Sequence, residues 1–111
     1  NLDEVGGNSN SVDVVDCEED KNNAQSLLYN KELILHIENA GLSTISTAVD
    51  ASDYIPFQQA GKTVIGLYED PQTQHYHSST DLTKHMDFEY LQKISNGTYQ
   101  FLLSEAKQVL N

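Results

Sequence analysis

The chain has 111 residues, 17 acidic against 6 basic, for a net charge of −11. That length fits one domain or a piece of one and can enclose a core without disulfide staples. The charge argues against nucleic acids and anionic membranes as partners, and no run reaches the ~20 apolar residues of a membrane span.

Asn1–Gly7 (NLDEVGG) alternates apolar and acidic residues and closes on two glycines, the pattern of a strand running out into a loop. The chain opens there on Asn1 rather than Met, as a trimmed chain would. Asn8–Ser11 is turn material, and the valines of Ser11–Cys17 (SVDVVDC) predict a second strand. Cys17 is the one cysteine, so no internal disulfide forms; it is expected to be a small buried residue rather than a nucleophile. A lone thiol fits a reducing compartment. The acids Glu18–Asp20 read as a solvated loop edge.

Ala24–Ala40 predicts a helix. Leu27, Leu28, Ile34, Leu35 and Ile37 form a broad stripe suited to a sheet, and Gly41 suits a C-terminal cap. His36 within it is expected as a packed or surface residue. Leu42–Val49, rich in Thr, Ser, Ile and Val, predicts a strand, followed by a turn at Asp50–Asp53. A short helix from Pro56 to Ala60 ends at Gly61. Thr63–Tyr68 (TVIGLY) has the length and apolarity of a strand buried on both faces. Glu69–Leu82 is a long polar loop containing HYHSSTD, and long ordered loops often carry function. Asp87 predicts the cap of a last helix, with Phe88, Leu91, Ile94, Thr98, Phe101, Leu102 and Val109 at helical spacing. Gly97 would weaken that helix by about 1 kcal/mol relative to Ala. Asn96–Thr98 matches a glycosylation sequon, discounted because it falls on a helix. Strand, strand, helix, strand, strand, helix is α/β in character, with a mostly parallel sheet and helices on its faces.

Two places can carry chemistry. His75 and His77 flank Tyr76, with Asp81 close behind. In extended backbone alternate residues share a face, so the two histidines are either a metal-binding pair or a surface pair. Asp3 stands at a strand end before Gly-Gly, where open α/β sheets place ligands; the bland reading is a loop acid.

Three segments, in order, resemble metallopeptidase family 28. NLDEVGG resembles the family's strand ending in an aspartate ligand. SDYIPFQQAGKTVIGLYE resembles its serine-aspartate-histidine stretch with proline-phenylalanine, a glycine and a buried strand. YHSSTD resembles its tyrosine-histidine loop with a following aspartate. The last ~60 residues are similar along their length, and residues 8–50 only in pattern.

The resemblance implies the C-terminal part of a three-layer α/β/α zinc-exopeptidase fold, with residues 1–111 forming one portion of a single catalytic domain. It implies two zinc ions, Asp3 binding one and His77 the other. Tyr76 would donate a hydrogen bond to the oxyanion that develops on the scissile carbonyl, and the substrate would be the N-terminal end of a peptide. Asp53 would support the site, and Asp81 would brace the loop rather than bind metal. Tyr54 stands where the family usually has histidine. The family's remaining histidine, its bridging aspartate and its adjacent glutamate pair would all precede Asn1; Glu18–Glu19 lies in the wrong order to be that pair. The fragment alone is therefore expected to be inactive. The resemblance also implies a secreted or periplasmic location. Glutaminyl cyclases share the architecture but usually carry tryptophan where this chain has Tyr76, and transferrin receptors are relatives that have lost catalysis. A half-sheet with an unpaired edge also predicts self-association of the fragment.

Overall fold

The computed structural model describes residues 1–110. In chain order they form β1 (Leu2–Asp3), β2 (Val14–Glu19), α1 (Ala24–Asn39), β3 (Ser43–Ala48), α2 (Ile55–Gln59), β4 (Ile65–Glu69) and α3 (Phe88–Leu110). Single 3₁₀ turns occupy Ser9–Ser11 and Thr83–His85. The sheet has four strands in the order β1-β4-β2-β3. β1 runs parallel to β4 and β2 parallel to β3, while β2 and β4 are antiparallel. This is the expected α/β architecture with a mixed sheet. No helix of the described residues is long and apolar enough to cross a membrane.

Both long helices stand on one face of the sheet. Val15, Cys17 and Leu67 point into a single core with Leu33 and Ile37 of α1 and Tyr90, Ile94 and Phe101 of α3. Burying each large side chain of this set stabilises by about 1.5–3 kcal/mol. These residues thus supply two of the three layers expected of the complete fold.

Several sequence expectations shift for physical reasons. β1 is only two residues long, because Glu4 turns into the left-handed region (φ 52°) and breaks the ladder. β2 extends through Glu18 and Glu19, which are no solvated loop edge: each is held by a specific donor. Tyr54 donates its hydroxyl to Glu18 Oε2 at 2.8 Å, and Lys21 and Asn30 bind Glu19 at 2.7 and 3.0 Å. The buried face of α1 is Ser26, Asn30, Leu33 and Ile37, while Leu28 and Leu35 face solvent. Polar side chains are admitted there because they have partners. Ser26 donates to the Val64 carbonyl at 2.6 Å, and Asn30 Nδ2 donates to the Cys17 carbonyl at 3.0 Å. On α3, Tyr90 joins the core and donates to the Val14 carbonyl at 2.6 Å, whereas Phe88, Leu102 and Val109 are exposed.

Other expectations hold. Asp87 caps α3 by accepting from the Tyr90 N–H at 3.0 Å. Cys17 is fully buried, and burial pushes its thiol up to about 12. His36 packs edge-on against Phe101. Gly97 marks the crossing of the two long helices. A Cβ there would lie 3.0 Å from Ile37 Cα and 3.1 Å from the His36 carbonyl, so only glycine lets the backbones approach this closely.

Candidate active site

The sheet's topology brings distant segments to one rim. Asp3 ends β1, and the loop carrying Tyr76 and His77 follows β4, its parallel neighbour. Both therefore emerge at the carboxyl ends of parallel strands, where α/β sheets hold ligands. Asp3 pairs with Tyr68, and Tyr68 with Asp16, so the three side chains stand in one row on the face away from the helices.

That face holds a cleft of about 440 Å³. Asp3 and Tyr76 line it together with Glu4, Asp16, Glu18, Asp50 and Tyr68. Asp3 is partly buried and its carboxylate is anchored: Ser52 Oγ donates to Asp3 Oδ2 at 2.7 Å, and accepts in turn from Asn1 Nδ2 at 2.8 Å. The bond engages one carboxylate oxygen and leaves Oδ1 for a cation. Tyr76 is about two-fifths exposed, and its ring stacks on that of His77 at 3.8 Å. His77 is exposed and its backbone is left-handed (φ 51°). Such conformations cost of order 1–3 kcal/mol and persist where the surrounding structure holds them.

The loop is a series of turns rather than extended chain, which decides the alternatives left open for the histidines. His75 does not share a face with His77. It stacks on His85 at 3.8 Å, and its Nδ1 lies 2.9 Å from Thr80 Oγ1. Asp81 is exposed and lies in a hollow with Glu4, Glu69 and His85, while Asp53 is exposed and lines a separate hollow with Phe57 and Lys62. The hydroxyl that holds Asp3 belongs to Ser52, the neighbour of Asp53.

Glu69, Glu18, Asp16 and Tyr54 also shape the site, and the sequence alone gave none of them a role in it. Glu69 is fully buried, and its carboxylate accepts the N–H groups of Gly7 at 2.6 Å, Asn8 at 2.9 Å and Thr73 at 3.4 Å. It ties the loop after Asp3 to the loop leading to Tyr76. Burial raises its pKa, against the opposing pull of those N–H groups. The approach is close enough that a Cβ on Gly7 would clash with the Glu69 carboxylate. Glu18 is raised by burial, opposed by the Tyr54 hydroxyl, with Asp16, Asp3 and Asp50 adding repulsion. Asp16 is likewise raised by burial, opposed by the hydroxyl of Thr47, which donates to its Oδ2 at 2.6 Å. Tyr54 fills the place where histidine was expected: it accepts from the Asp50 N–H at 2.9 Å and donates to Glu18. The alternation of β2 was the available signal for Asp16 and Glu18, since even positions oppose the core-facing Val15 and Cys17.

The chemistry of the donors suits zinc, which accepts carboxylate and imidazole ligands. Among the described residues no three His, Cys, Asp or Glu side chains converge to hold a metal ion. Asp3 and His77 by themselves therefore do not form a metal-binding group.

The sheet thus carries an anchored carboxylate and a Tyr-His loop at the carboxyl ends of two neighbouring parallel strands. A model of peptidase family M28 matches residues 1–102, and the chain belongs to that family. No curated protein and no solved structure matches the chain.

Proposed function

We propose that these residues are the C-terminal portion of the catalytic unit of a zinc-dependent aminopeptidase, which removes residues from the N-termini of peptides. Membership of peptidase family M28 supports a peptidase. The observation that carries the finer reading is that Asp3 and Tyr76, far apart in the chain, line one cleft. Zinc, when bound, would supply a coordinated water of lowered pKa and a Lewis acid for the scissile carbonyl. Asp3 and His77 would each hold one zinc ion, and Ser52 fixes the rotamer of Asp3. Tyr76 donates its hydroxyl proton in a hydrogen bond to the carbonyl oxygen as negative charge develops there. The general base and the other ligands come from outside these residues, so the isolated fragment is inactive.

In the full-length zinc-loaded enzyme, His77→Ala is expected to lose one zinc equivalent and nearly all turnover, read by metal analysis and peptide hydrolysis. Unchanged metal content and rate would rule this function out. Tyr76→Phe is expected to lower kcat by about 10²–10³-fold with little change in KM.

A further inference from the structure

We propose that Glu69 is a positioning residue that sets Tyr76 against Asp3, each of its two carboxylate oxygens holding one of the two loops involved. The inference rests on the aminopeptidase reading and adds a residue to its machinery.

Glu69 ends β4, the strand between β1 and β2, and it pairs with Val15 of β2. Residues paired across strands share a face, so its side chain points with Val15 to the helix-bearing side of the sheet. There it is 1% exposed. Among the described residues no lysine or histidine forms an ion pair with it. Backbone N–H groups alone meet its charge. A carboxylate buried without a counter-ion costs free energy that a neutral residue in the same place would not.

The two oxygens divide their work. Oε2 accepts from Gly7 at 2.6 Å and from Asn8 at 2.9 Å, in the loop that follows Asp3. Oε1 accepts from Thr73 at 3.4 Å, in the loop that leads to Tyr76. The first loop is held a second time by the Glu69 N–H, which donates to the carbonyl of Glu4, the neighbour of Asp3, at 3.2 Å. In the second loop the Thr73 carbonyl accepts from the Tyr76 N–H at 3.2 Å, and Thr73 Oγ1 accepts from the His75 N–H at 3.2 Å. Thr73 thus passes the hold of Glu69 on to the Tyr76 backbone. A Cβ on Gly7 would clash with the carboxylate, so glycine lets the first loop come within reach. Glutamine has the shape of glutamate but one acceptor oxygen and two donor hydrogens, so it must turn an NH₂ group on one loop or the other.

The test is Glu69→Gln in the full-length zinc-loaded protein, with a panel of amino-acid 4-nitroanilides and hydrogen exchange read by mass spectrometry. The amide oxygen is expected to stay with the closer Gly7 and Asn8 donors and to release Thr73. The best substrate should then lose about 10–100-fold in kcat with little change in KM, the effect of a displaced transition-state contact. Amides of residues 73–77 should exchange about tenfold faster while those of α1 and α3 keep their protection. Gly7→Ala pushes on the carboxylate from the opposite loop. It should lower kcat in the same way, and combined with Glu69→Gln the two losses should not add. Folded Glu69→Gln and Gly7→Ala proteins with the parent's kcat overturn the positioning role, whatever happens to their Tm, and leave the peptidase reading intact. If the parent cleaves none of the anilides, the peptidase reading falls and exchange decides the rest. Faster exchange at residues 73–77 in Glu69→Gln keeps the clamp between the loops, and unchanged exchange overturns it too.

Discussion

A carboxylate serves as a metal ligand when it is held still, and the hydroxyl of Ser52 holds Asp3. Ser52→Ala in the full-length protein should weaken zinc binding about 10–100-fold while leaving the circular dichroism spectrum unchanged; competition with a chelator measures it. Glu69 works at the same scale for the backbone. Glu69→Ala leaves three N–H groups in a buried place without their acceptor, so it should cost about 1–3 kcal/mol in chemical denaturation. A variant as stable as the parent would mean that water replaces the carboxylate. The two kinds of residue differ in how readily a sequence shows them. Asp3 and Tyr76 are embedded in short recognisable words, NLDEVGG and YHSSTD. Ser52, Glu69 and Asp16 matter only through partners far away in the chain, fixed by sheet register and loop closure. No local pattern announces a glutamate that caps glycine amides 62 positions away.

Elements were easier to read than the faces they bury. The segments of α1, β3, β4 and α3 follow from periodicity and from the Asp87 cap. Their inner faces do not follow from hydrophobicity, because Ser26, Glu69 and Asn30 (through its Nδ2) are buried with hydrogen-bond partners while Leu28 and Leu35 remain in solvent. Gly97 is the sharpest case. Helix propensity alone makes Gly97→Ala stabilising by about 1 kcal/mol. The structure puts Ile37 Cα and the His36 carbonyl at 3.0 and 3.1 Å from the added carbon, and backbone cannot rotate aside. Gly97→Ala is therefore expected to destabilise, by about 1–3 kcal/mol in the midpoint of urea unfolding, as α3 is levered off α1. A gain in stability would show that the helices separate freely.

At the scale of the molecule, the buried acids link stability to pH. Asp16, Glu18 and Glu69 all have pKa values raised, first of all by burial. A raised carboxyl pKa favours the protonated folded form. Its contribution is complete below the ordinary carboxylate range, about 4, and is lost as pH rises through the raised values. Asp16→Asn removes one such group, so its Tm relative to the metal-free parent should climb as pH rises from about 4 towards neutrality. A difference that stays constant, or shrinks, would mean that Asp16 titrates normally. The sheet also leaves β1 as an edge strand, beside a hollow lined by Leu2, Leu33, Leu67 and Phe101. Residues 1–111 in isolation should accordingly associate with rising concentration in light scattering, and a monodisperse monomer would contradict this.

The position of β2 between two partners, with helices on one side alone, has a consequence for change over time. Val15 and Cys17 answer to the core, whereas Asp16 and Glu18 answer to the cleft. Neighbouring residues of one strand thus meet different physical demands. A library randomised at those two codons would remodel the cleft side of the strand without touching Val15 and Cys17 in the core.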